Sequence, residues 1–92
     1  MLISIQAGNS DNKLTQQEWA EFIVELGSLV RAYATALHFF GGSETYARWQ
    51  NVCWVAEIPS GCFDELVSDI VQIRKLHRQD SVCILAGEAL FV

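Results

Sequence analysis

Seven consecutive residues, Val52-Cys53-Trp54-Val55-Ala56-Glu57-Ile58, constrain the fold of this chain more than any other feature. Most are β-branched or aromatic, and Pro59-Ser60-Gly61 closes the run with a turn signal. Such a segment predicts a strand that is apolar on both faces, lies inside a sheet and is covered from both sides. A chain of 92 residues, expected to form a single domain over 1–92, has few ways to provide that cover. At this length only about 60–65% of the unfolded surface is buried. Yet 51% of the residues are hydrophobic and 18% are charged, against roughly a quarter charged in an average domain. There are more apolar side chains than one small core hides, so burial against another chain is expected.

Other covers are excluded more easily. No apolar run approaches the roughly 20 residues that a membrane-spanning helix needs. Met1-Leu2-Ile3-Ser4-Ile5-Gln6 alternates in polarity without a basic leader, so no signal peptide is expected and the chain reads as cytoplasmic. Cys53, Cys62 and Cys83 are odd in number and irregularly spaced, which suits reduced thiols rather than a disulfide frame or zinc site. A net charge of −5 opposes phosphate backbones, so no nucleic-acid partner is expected. Acidity is compatible with a basic protein partner and equally with plain solubility.

Along the chain, residues 1–8 alternate as a half-covered strand, and Gly8 to Lys13 form a polar turn cluster. Thr15-Gln16-Gln17-Glu18 has the spacing of a capping box. Behind it Trp19, Phe22, Ile23, Leu26, Leu29, Val30 and Tyr33 mark one apolar face of a helix over about 15–33. Ala36-Leu37-His38-Phe39-Phe40 reads as a second strand ended by Gly41-Gly42-Ser43. A loop over 41–51 follows, carrying Tyr46, Arg48 and Trp49. Aromatics and arginine in a long loop suit contact with a partner; folding back as a lid on the sheet explains them equally well. After the central strand, Ser60 caps a second helix with Asp64 and Glu65 in its first turn and Arg74, Lys75, His77 and Arg78 in its last. Phe63, Leu66, Val67, Ile70, Ile73 and His77 line one of its faces. Ser81 to Val92 is the last sheet-forming stretch, with Gly87 as a bulge or break and an apolar end expected to pack on something.

The order strand, helix, strand, strand, helix, strand resembles the ferredoxin-like βαββαβ plan, an α+β fold with two helices on one face of a four-stranded antiparallel sheet. The resemblance is topological, and the closely spaced cysteines of an iron–sulfur site are absent. With helices on one face, the other should turn polar, and most strands here do not. The open apolar face marks an interaction surface. A second copy of the chain is the expected cover, with His38, Phe40 and Trp54 at the dimer interface.

Candidate chemistry is sparse. His38 sits among phenylalanines and reads as a core or interface histidine, and His77 as a helix-end cation. No metal site, cofactor or catalytic residue is expected, since no nucleophile, metal-protease, Walker or dinucleotide motif occurs. Cys62 falls where a helix dipole favours thiolate, but Asp64 and Glu65 oppose it. The favoured expectation is a small acidic protein-interaction module, an inhibitor, immunity or accessory factor, binding another protein through Tyr46, Arg48 and Trp49. The alternative rests on size and strand order, which resemble those of dimeric α+β barrel proteins of the antibiotic-biosynthesis-monooxygenase type. That resemblance implies an aromatic-lined pocket between sheet and helices, with Asn9, His38 and Trp54 as its lining. RNA binding on the open sheet face is set aside, because the charge is wrong and the stacking motif is missing.

Overall fold

The computed structural model describes every residue except 10, 46, 47, 89 and 91, and for residues 43–45, 48 and 49 it describes the backbone alone. Strand β1 (Leu2–Gly8) leads into helix α1 (Gln16–Tyr33), then the long strands β2 (Ala36–Thr45) and β3 (Arg48–Glu57). A 3₁₀ turn (Ser60–Cys62) opens helix α2 (Phe63–Leu76), and β4 (Cys83–Gly87) follows. The strands form one antiparallel sheet in the order β2-β3-β1-β4 with βαββαβ connectivity, the ferredoxin-like arrangement. Among the described residues no helix is long and apolar enough to cross a membrane.

Helix α1 begins where the capping box dictates. The Glu18 amide donates to Thr15 Oγ1 at 3.1 Å, and the Thr15 amide donates to Glu18 Oε1 at 3.0 Å, satisfying two amides that the helix start would otherwise leave orphaned. Trp19, Phe22, Leu26 and Val30 on its apolar stripe are buried against the sheet. They meet Ile3, Ile5 and Ala7 of β1, Val52, Trp54 and Ala56 of β3, and Leu66 and Ile70 of α2. Burial of each such large apolar side chain contributes about 1.5–3 kcal/mol. Tyr33 ties the helices together by donating its hydroxyl to Asp69 Oδ2 at 2.7 Å. His77 Nε2 lies 2.6 Å from Glu25 Oε2, and its ring stands 5.2 Å from Phe22.

The sheet differs from the sequence expectation in three places. First, Gly41-Gly42-Ser43 does not end β2, whose ladder with β3 continues to the Thr45↔Arg48 pair. The loop expected over 41–51 is therefore a hairpin, with strand backbone on both sides of residues 46 and 47. Glycine is tolerated at 41 because the Phe39 ring occupies the space its side chain would take: a Cβ there would lie 2.8 Å from Phe39 Cζ. Second, β3 is covered on one face only. Val52, Trp54 and Ala56 face the helices and are buried, whereas Cys53 and Val55 are half-buried on the other face. Third, β4 stops at Gly87, and Leu90 and Val92 are exposed rather than packed within the chain.

A register shift between Leu37 and Phe39 decides which face of β2 each aromatic takes. Leu37 pairs with Ala56, but Phe39 pairs with Val55 and Phe40 with Trp54. One extra residue in a strand reverses the facing of every side chain beyond it. Phe39 thereby moves to the open face, and Phe40 moves to the helix side.

Candidate functional site

Trp54 occupies the middle of β3, fully buried (0% exposed) on the helix side of the sheet. Across the ladder Phe40 stacks on it, the ring centroids 5.4 Å apart and the planes inclined by 27°. Phe40 itself remains 46% exposed. Arg31, one helical turn after Gly27 on α1, places its guanidinium carbon 5.3 Å from the centre of the Phe40 ring. Gly27 lets the helix approach, because a Cβ there would lie 2.8 Å from Arg31 Nη1 and 3.2 Å from Trp54 Cζ2. The result is a stack at the β2 side of the helix layer: the buried indole, the half-exposed phenyl ring and the arginine over it.

Trp54 Nε1 is buried here without a hydrogen-bond acceptor. Trp19 Nε1 and Gln50 Oε1 are in the same position elsewhere in the core; the Gln50 amide nitrogen is already used, donating to Asn12 Oδ1 at 3.0 Å. Buried polar groups nearly always find partners, and leaving one unmade costs about 1–3 kcal/mol. An unsatisfied donor beside a half-exposed aromatic is a feature that a ligand acceptor would complete.

The other residues expected to line a pocket do different work. Asn9 is fully buried but fully employed, its Nδ2 donating to the Leu14 carbonyl at 2.9 Å and its Oδ1 accepting from the Leu14 amide at 3.0 Å. It pins the turn before α1. His38 falls within the bulge, half-exposed, with Nε2 3.3 Å from Glu57 Oε1. Asn9, His38 and Trp54 are therefore not brought together. The space between sheet and helices is filled by Trp19, Phe22 and Trp54, in place of the enclosed pocket that the resemblance implied.

The expected dimer interface is likewise divided. Trp54 lies inside the core, and Phe40 faces the helix side beneath Arg31. On the open face stand Phe39, Val55 and Leu85, with Cys53 and Cys83 flanking Gln6 across β1. Cys53 Sγ is 3.5 Å from Ser4 Oγ. A trough of about 690 Å³ crosses this face near Gly8, Gly41, Asn51 and Ser81. Sequence reading missed Phe39 because strict alternation cannot show a bulge.

Of the expected partner-binding residues, Tyr46 lies outside the described residues, as do the side chains of Arg48 and Trp49, whose backbone belongs to β3. Cys62 is half-buried at the start of α2 and makes no capping hydrogen bond. Among the described residues no three His, Cys, Asp or Glu side chains gather as metal ligands.

No protein-family model matches the chain. No curated protein matches it either. Among solved structures, the chain is similar to a Deinococcus radiodurans protein provisionally described as an antibiotic biosynthesis monooxygenase. The two share 14% identity with a TM-score of 0.53, over 100% of this chain and 98% of the other. The likeness is one of fold. It nevertheless overturns the expectation of a protein-interaction module and stands with the α+β barrel alternative. The physical ground for the first expectation fails as well, since the loop that carried it is a strand hairpin.

Proposed function

We propose that the protein binds a small aromatic molecule against Phe40, beside the Trp54 indole, and does so as a homodimer of α+β barrel plan whose two open sheet faces cover each other. The observation that carries the reading is the buried, unsatisfied Trp54 Nε1 beside the half-exposed ring of Phe40. A planar ligand would stack on Phe40 and accept a hydrogen bond from the indole, removing the cost of an orphaned donor. The fold likeness to the Deinococcus protein supports the same plan.

The composition of the open face supports self-association. Phe39 and Leu85 are exposed there, while Gly87, with nothing within 4 Å of its Cβ position, leaves room for close approach. Among its described residues this face carries no lysine or arginine, and Glu57 is its only carboxylate on the strands. Two copies can therefore meet without like-charge repulsion at the centre.

Calorimetric titration with 2-naphthamide, a neutral planar probe with a carbonyl acceptor, tests the binding claim. One saturable site per protomer is expected, weakened at least about ten-fold in a folded Trp54→Phe variant (a factor of ten being 1.4 kcal/mol). Equal affinity in the two proteins, or no binding at all, would overturn it. The activity named for the Deinococcus protein makes oxygen uptake with 2-naphthol the turnover to assay first.

A further inference from the structure

We infer that the trough on the open face of the sheet is a second binding site, one that takes a primary amine carrying an aryl arm. The trough offers about 690 Å³, within the roughly 300–1,000 Å³ of small-molecule sites. Its middle is the register row Gly41↔Cys53↔Gln6↔Cys83, which crosses all four strands. The Phe39 ring lies over Gly41 and bounds one end, and the Asn51 side chain lies beside Gly8 towards the other. Asp11, from the turn after β1, and Ser81, from the segment before β4, stand at that second end. At about 4.8 Å between strands and about 3.3 Å per residue, Gly41 and Gly8 are about 12 Å apart. An aryl group and an ammonium joined by a short alkyl chain bridge such a span.

The lining selects charge as well as size. Among the described residues no lysine, arginine or histidine lines the trough, and Asp11 supplies its only carboxylate. Asp11 Oδ1 accepts from the Lys13 amide at 3.1 Å, but the Lys13 ammonium is turned to Asp80, also at 3.1 Å. No described side chain therefore forms an ion pair with Asp11. Gln6 donates its Nε2 to Ser4 Oγ at 3.2 Å, which leaves its Oε1 an acceptor without a partner among the described residues. An ammonium has only donors and carries charge, so acceptors beside a carboxylate suit it. An acid would meet Asp11 as a like charge. At the far end Phe39, 53% exposed, gives the aryl arm its apolar contact. A partner copy seated on Phe39, Val55 and Leu85 leaves the end at Asp11 and Ser81 as the way in. The trough and the Phe40–Trp54 stack are on opposite faces of the sheet, so the two sites stand or fall separately.

The matched pair 4-phenylbutylamine and 4-phenyl-1-butanol differs in charge at neutral pH and hardly in shape. Calorimetry should show one saturable site per chain for the amine, at least about ten-fold tighter than the alcohol. A ¹H–¹⁵N spectrum locates it: the Gly8, Gly41 and Gly42 amides should move on titration, while the Trp54 indole signal stays in place. Asp11→Asn keeps an oxygen acceptor for the Lys13 amide, so the turn is expected to fold. It should bring the two probes to within about two-fold of each other, and Asp11→Glu should retain part of the preference. No amine binding, equal wild-type affinity for the two probes, a preference surviving in Asp11→Asn, or shifts confined to residues outside the trough would each overturn the inference. Any of these results leaves 2-naphthamide binding at Phe40 untouched, and failure of 2-naphthamide leaves the trough untouched.

Discussion

Phe39 and Phe40 are adjacent in sequence and stand on opposite faces of the sheet, the first paired with Val55 and the second stacked on Trp54. The bulge at His38 fixes that assignment, and with it the division of labour between the two faces. An aspartate at each position therefore gives a sharp contrast. Light scattering should show a wild-type dimer, a monomeric Phe39→Asp variant and a Phe40→Asp variant that is less stable but still dimeric. A wild-type monomer would remove the self-association claim, and a dimer split by Phe40→Asp alone would reverse the faces.

Asn9 is expected to be a structural residue. Asn9→Ala leaves both the amide and the carbonyl of Leu14 without their buried partner, at about 1–3 kcal/mol for each group. Urea denaturation should show a loss of about 2–6 kcal/mol. A loss below about 0.5 kcal/mol would mean that the turn is held by something else.

Tyr33 gives the fold an alkaline limit. Its hydrogen bond to Asp69, then burial, then the negative charges of Asp69 and Glu65 push its ionisation well above the usual phenol range. The unfolded chain loses this proton near pH 10, whereas the folded chain keeps it. The stabilisation is complete below that pH and is lost as pH rises towards the folded value. Tyr33→Phe should have a flatter stability profile above about pH 10. Parallel profiles for the two proteins would contradict this.

Glu18 acts at the other end of the scale. Hydrogen bonds from the Thr15 amide and hydroxyl, with the Arg78 charge, hold its carboxyl below the ordinary value of 4.5. Its stabilisation is present above that pH and is lost as pH falls through the lowered value. Glu18→Gln keeps the capping geometry and should remove this acid dependence, while Thr15→Ala should cost about 1 kcal/mol at neutral pH. Both are read from urea midpoints across pH, and an unchanged acid slope in Glu18→Gln would refute the assignment.

These contrasts also show what was legible in the chain. Helix α1 could be read outright because the Thr15–Glu18 box and the Trp19–Val30 stripe are local signals. The βαββαβ order followed from the alternation of such signals. The length of β2 was hidden, because Gly41 and Gly42 read as a turn unless one knows that the Phe39 ring fills the space beside Gly41. The facing of Phe39 and Phe40 was hidden as well. Leu37-His38-Phe39-Phe40 breaks strict alternation, which hints at a bulge without locating it. Trp54 was legible as important, but its orphaned N–H and the arginine above its neighbour depend on how α1 crosses the sheet.

Binding beside Trp54 is tested most directly in the indole region of a ¹H–¹⁵N spectrum during titration with 2-naphthamide. The chain has three tryptophans, so three indole signals identify themselves through Trp→Phe variants, by elimination if Trp54→Phe does not fold. The Trp54 Nε1–H signal should move to saturation on formation of its missing hydrogen bond, while that of Trp19 stays at its free position. A Trp54 signal unmoved at saturating probe would contradict the binding site outright.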